Sequence, residues 1–196
     1  MKNKEVRFFS PEFRATEEDG VKRIGGYAAV FNTWSENLGW FREKIAPGAF
    51  TESLRNSDPV ALFNHNSDIV LGRMSSGTLR LKEDEKGLYM EVDLPDTQAA
   101  NDLYKLVDRG DIKQQSFGFT VESNEWRYGE NGAPDERTIV KVRELFDVSL
   151  VTFPAYPDTS VAKRSKDAAT GEKNNDDTVI ENEDIEIQLL LNKHEV

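Results

Sequence analysis

Two histidines, His65 and His194, stand in a chain that has no cysteine. Imidazole chemistry therefore has two possible sources, and a thiol nucleophile, a disulfide scaffold and a cysteine-based zinc site are excluded. His65 lies in ALFNHNSD, directly after an apolar run and at the start of a polar turn, where a rigid scaffold commonly presents reactive side chains. The same histidine equally suits an exposed turn, bonded to Asn64, Asn66 or Asp68. His194 sits in an acidic terminal stretch and competes poorly. Nucleophilic hydrolysis by serine needs a hydroxyl, a base within hydrogen-bond reach, and a third group that holds the base in one tautomer.

Ser116 opens SFGF, whose Phe117 and Phe119 imply a packed face and whose mid-strand Gly118 implies close approach of another backbone. A small residue there leaves room for a substrate strand, although a lone strand serine is most often structural. Asp147 lies in ELFDVSLV, where period-two alternation groups Leu145, Asp147, Ser149 and Val151 on one face and Glu144, Phe146 and Val148 on the other. A carboxylate among apolar neighbours calls for a partner, because an unpaired buried charge is costly. Glu144 is the rival acid, equally suited to be a solvated strand-edge residue. A serine-lysine pair built on Lys113 is disfavoured, because three residues along a strand put Lys113 and Ser116 on opposite faces. Acids abound, but no histidine cluster at ligand spacing implies a metal, and no glycine-rich phosphate loop implies a nucleotide cofactor.

The elements that must position these residues are mostly strands. RIGGYAAVF, PVALF, TLRL, LYMEVDL, QSFGFTVE, TIVKV and LFDVSLVTF are short, rich in β-branched or aromatic residues, and separated by turn formers. A mainly β fold with a few helices follows, as a barrel or a sandwich. SNEWRYGENGAPDER, residues 123–137, reads as a hairpin loop. PGAFTESL allows a short helix with Leu54 inward. Thr97 to Arg109 reads as a longer one, capped by Asp96 or Thr97, with Ala99, Leu103, Leu106 and Val107 as its apolar stripe and Gly110 as its stop.

With 196 residues, 37% apolar and 10% aromatic, the chain suits one domain with appendages. The boundaries read as an N-terminal extension over 1–22, a body over 23–162, and a tail over 163–196. From Lys163 onward five Lys and Arg face nine Asp and Glu, a net of −4, so the preceding residues carry −7 of the total −11. That balance argues against a nucleic-acid surface, which relies on clustered Lys and Arg. No apolar run approaches a membrane-spanning length, and MKNKEVRFFS lacks the hydrophobic region of a signal peptide, so a soluble, unexported protein is expected.

Four segments in order, GYAAVFN with FREKIAPGAF, then NHNSDIVLGR, then QQSFGF, then ELFDVSLVTFPAYPDT, resemble the prohead (head maturation) serine proteases of tailed bacteriophages, a family related in fold to the herpesvirus assemblin proteases. The resemblance covers roughly residues 23 to 162. It implies a herpesvirus-protease-like β-barrel and a serine endopeptidase that needs no cofactor and no metal. Its histidine falls on His65 and its nucleophile on Ser116. Its acid falls on Asp147, where many relatives have glutamate, with Glu144 as the alternative third member. Many relatives follow the histidine with aspartate; here Asn66 follows and the acid comes at Asp68. For the oxyanion hole and substrate contacts the candidates are Gly72 and Arg73, in the Leu71-Gly72-Arg73 turn, and Gly118. Arg73 equally suits a surface ion pair.

By the same likeness the substrates are capsid and scaffold proteins, cut in the host cytoplasm inside the assembling prohead, and self-association is expected by analogy with the dimeric assemblins. The contrasting reading is a catalytically silent assembly protein on the same fold. Lys163, Arg164 and Ser165 form a basic site at which the enzyme is expected to trim its own acidic tail. Mass spectrometry of active protein with an intact C-terminus would remove that idea.

Overall fold

The computed structural model describes residues 4–9, 14–130 and 132–153. Among them are ten strands and two helices, in the order β1 (Glu5–Phe9), β2 (Arg14–Glu18), β3 (Val21–Val30), β4 (Phe41–Ile45), α1 (Ser53–Asn56), β5 (Val60–Phe63), β6 (Asn66–Arg73), β7 (Leu79–Glu83), β8 (Gly87–Asp93), α2 (Gln98–Asp108), β9 (Gln114–Arg127) and β10 (Asp135–Val151). The tail over 163–196, with His194 and the basic site at Lys163, lies outside the described residues.

The strands make two sheets. One runs β1-β9-β10-β5-β6, with β4 also paired to β10, and the other runs β2-β3-β8-β7. The mainly β expectation is met; among the described residues the strands form two sheets, neither closed on itself. The large sheet is organised around β10. The runs TIVKV and LFDVSLVTF form this one strand of 17 residues, which pairs with β9 along one side and with β4 and then β5 along the other. Among the described residues, β1 and β6 are the outer strands of this sheet.

The core fills the space between the sheets. Ile24, Leu88, Met90 and Val92 meet Phe117, Phe119, Val142, Leu145, Val148 and Leu150, all buried in one cluster. Phe117 packs edge-on against Phe50 at 5.6 Å and tilted against Phe119 at 4.8 Å, arrangements that aromatic quadrupoles favour. Helix α2 begins at Thr97, whose side chain accepts a hydrogen bond from Ala100 N, and is followed by Gly110 at φ 80°. Its buried face is Ala100, Leu103 and Val107. Ala99, expected inward, is exposed; Ala100 takes the inward place, three residues before Leu103 and seven, about two turns, before Val107.

Strands β1, β2, β4 and β6 carry no clear apolar alternation, which explains why they escaped the sequence reading. In β4 the inward set is Phe41, Glu43 and Ile45, so a charge interrupts the pattern. β1 and β2 fall within the stretch expected as an extension, yet both are paired strands. The hairpin loop is shorter than expected, because β9 continues to Arg127 and β10 starts at Asp135. Trp126 at that end stacks on Trp40 at 5.4 Å.

A buried ion network ties β1 to the large sheet. Arg137 on β10 donates to Glu5 Oε2 at 2.6 Å and Oε1 at 2.9 Å, and to Glu43 Oε2 at 3.3 Å. Arg7 donates to both Glu43 oxygens and, at 2.7 Å, to Glu5 Oε2. Two cations and two anions cancel, which burial demands. Arg137→Ala would leave two buried carboxylates sharing the single Arg7 cation, an uncompensated negative charge. We expect it to lower unfolding free energy by about 3–5 kcal/mol, read by urea denaturation.

Candidate active site

His65 occupies the tip of the tightest hairpin in the large sheet. Phe63 pairs with Asn66 across β5 and β6, leaving Asn64 and His65 as the two turn residues, at φ 52° and 56°. Two successive positive φ values mark a type I′ turn, whose twist matches that of the flanking strands. Asparagine tolerates this region well; histidine there is less common. Strain of this kind persists where the surroundings over-determine it, and here they do. Asn64 N donates to Leu150 O at 2.9 Å. Thr152 N donates to Asn64 Oδ1 at 2.9 Å, and Asn64 Nδ2 donates to Thr152 Oγ1 at 3.3 Å. The turn is thereby fixed against the end of β10.

An irregularity in β10 sets the face on which Asp147 lies. Leu145 pairs with Phe119, but Asp147 pairs with Gly118, so Phe146 is an extra residue, as in a β-bulge. The bulge reverses the alternation. Leu145 joins Val148 and Leu150 in the core, while Asp147 and Ser149 stand opposite Gly118 and Ser116 on the other face. The expected grouping of Leu145 with Asp147 is therefore corrected. Asp147 is placed among small polar residues, and its burial comes from its hydrogen-bond partners.

The hydroxyl, the imidazole and the carboxylate meet in series. His65 Nε2 lies 2.8 Å from Ser116 Oγ, and its Nδ1 lies 2.6 Å from Asp147 Oδ2. Asp147 Oδ2 also accepts from Ser149 Oγ at 3.2 Å, and Oδ1 accepts from Lys4 Nζ at 2.8 Å. Ser116 Oγ also donates to the backbone carbonyl of Arg7 at 2.9 Å. Ser116 is fully buried, Asp147 nearly so, and the His65 side chain is 21% exposed.

Burial pushes the Asp147 carboxyl up, but hydrogen bonds from His65 and Lys4 together outweigh it and hold the group below the usual aspartate value. A folded-state pKa below the unfolded one gives stability that is present at neutral pH and lost as pH falls through the folded value. Relative to Asp147→Asn, wild-type protein should lose stability on acidification below about pH 5, as thermal melts at stepped pH would show.

The other candidates are placed elsewhere. Glu144 is exposed opposite Thr120, on the far side of the bulge from Asp147. Lys113 is exposed ahead of β9. Arg73 pairs with Asp58 at 2.9 Å on the surface. Gly72 packs closely between the sheets, where a Cβ would lie 2.6 Å from Val92 Cγ2. Among the described residues, neither Gly72 nor Arg73 is hydrogen-bonded to Ser116 or His65. Gly118 does adjoin the site: a Cβ there would strike the Lys4 side chain and come 2.8 Å from Asp147 Oδ1. Sequence reading missed Lys4 and Arg7. The available signal was the β-forming run VRFF inside a short polar segment.

A hydroxyl, an imidazole and a carboxylate hydrogen-bonded in that order, presented by two strands and a tight turn, form the constellation of a serine hydrolase. Residues 10–174 match the family model of the caudovirus prohead serine proteases, and the chain belongs to that family. No curated protein matches the chain. Among solved structures, the bacteriophage T4 capsid assembly protease gp21 is similar, with 7% identity and a TM-score of 0.41 over 76% of this chain and 99% of that one.

Proposed function

We propose that this chain is a serine endopeptidase acting on capsid and scaffold proteins inside the assembling prohead, in the host cytoplasm. Ser116 Oγ attacks the scissile carbonyl carbon while His65 Nε2 takes its proton, and the imidazolium then gives that proton to the leaving amine. Asp147 keeps the other proton on Nδ1 and stabilises the imidazolium charge. The observation that carries this reading is the unbroken hydrogen-bond series from Ser116 through His65 to Asp147, brought together by the Asn64-His65 turn and the Phe146 bulge.

The test is incubation of purified protein with capsid and scaffold precursors of the same phage, with new N-termini read by mass spectrometry. Wild type is expected to generate defined termini, and Ser116→Ala none. Equal processing by both proteins would remove the assignment.

A further inference from the structure

A peptide cannot be cut unless its carbonyl carbon reaches Ser116 Oγ, yet Ser116 has no exposed surface. The covering element is β1. It lies at the edge of the large sheet, antiparallel to β9, with Phe8 opposite Ser116, Arg7 opposite Phe117 and Val6 opposite Gly118. Its Arg7 carbonyl already sits 2.9 Å from Ser116 Oγ, so a peptide group of the chain itself occupies the place a scissile peptide needs. Just before β1, Lys4 passes the bare Gly118 backbone and pairs with Asp147. The segment from Lys4 to Phe9 therefore contacts both ends of the triad, and it lies ahead of residues 10–174, which match the family.

Counting hydrogens shows what these contacts do. Serine carries one hydroxyl hydrogen, and a carbonyl can only accept. Where that hydrogen points at the Arg7 carbonyl, it is turned away from Nε2, and the seryl proton is not aligned for transfer to the base. The Lys4 ammonium meanwhile offsets the Asp147 charge that should stabilise an imidazolium formed during attack.

We infer that β1 with Lys4 is a displaceable strap seated in the substrate-binding edge of β9, and that an extended peptide substrate replaces it by adding as an antiparallel strand. This rests on the endopeptidase reading above. Strand addition gains affinity from main-chain hydrogen bonds to an open edge, and among the described residues only β9 pairs with β1. Release leaves no net buried charge behind, because Arg137 and Glu43 remain paired at 3.3 Å. Displacement frees the hydroxyl to turn its hydrogen from the Arg7 carbonyl toward Nε2 and removes the Lys4 ammonium from Asp147.

Absence of cysteine gives a clean background for the test. Phe9 and Gln115 are direct cross-strand partners, so Phe9→Cys with Gln115→Cys allows a disulfide to hold the strap in place. Ser116 modification by a fluorophosphonate, and cleavage of capsid precursor, are followed with the disulfide closed and after reduction. The closed form should react at least about tenfold more slowly in both assays, with full recovery on reduction. Equal rates in the two forms, with cleavage intact, overturn the strap alone. A reduced protein that neither labels nor cleaves overturns the endopeptidase reading and the strap with it. Independently of any disulfide, hydrogen exchange of the β1 amides in wild-type protein should quicken at least about tenfold once Ser116 carries a peptidyl phosphonate. Unchanged protection of β1 in that adduct overturns the proposal.

Discussion

Alanine at Ser116, alanine at His65 and alanine at both are expected to lower kcat for peptide cleavage by nearly the same factor, about a million-fold. The equality is the informative part. A hydroxyl without its base is a poor nucleophile near neutral pH, and a base without the hydroxyl has no bond to make, so either loss removes the whole covalent route. The geometry predicts such coupling, because Nε2 lies 2.8 Å from Oγ and no other imidazole is present among the described residues. His65→Ala should also leave folding almost intact, since its side chain is partly exposed and the turn is held by Asn64, Leu150 and Thr152. Steady-state kinetics on a cleaved capsid-derived peptide, alongside urea unfolding, separate the two effects. Losses that multiply in the double variant would mean that the two residues act independently, and the series mechanism would fall.

What the sequence made legible, and what it hid, follow from the same physics. His65 stood out because the chain has two histidines, whereas Ser116, one of twelve serines, was singled out by the family resemblance of its QQSFGF segment. The fold class was readable because β3, β5, β8 and β9 carry dense apolar or aromatic patterns. Period-two reasoning failed at Phe146, because one extra residue reverses the faces of everything beyond it and leaves no mark in composition. It failed again at β4, where the inward residue Glu43 is a charge neutralised by Arg7 and Arg137 from distant parts of the chain. β1 was hidden for that reason too. Glu5 and Arg7 look like solvated residues until their partners are known, and both are buried. Sheet closure was beyond reach, since it depends on which strands end as edges and no local pattern records that.

Asp147→Asn is expected to lower kcat by about ten-thousand-fold while leaving the surrounding geometry in place. Size and shape are conserved, and the amide oxygen can still accept from Lys4, which lies 2.8 Å from the present Oδ1. The amide nitrogen then faces His65 Nδ1 and donates to it. The neutral ring is thereby driven into the tautomer with hydrogen on Nε2, the wrong one to receive a proton from Ser116. The charge that steadies the imidazolium is lost as well. Because Asp147 touches neither the hydroxyl nor the peptide, KM should move little while kcat falls, a split that unfolding or loss of the peptide site would not give. Glu144→Gln is the control for the rival acid. Its exposed side chain stands on the other side of the Phe146 bulge, so its kcat should stay within about twofold of wild type, as expected for a surface residue away from the chemistry. A large kcat loss at Glu144 with little at Asp147 would require a different third member, and with it a rearranged His65 turn.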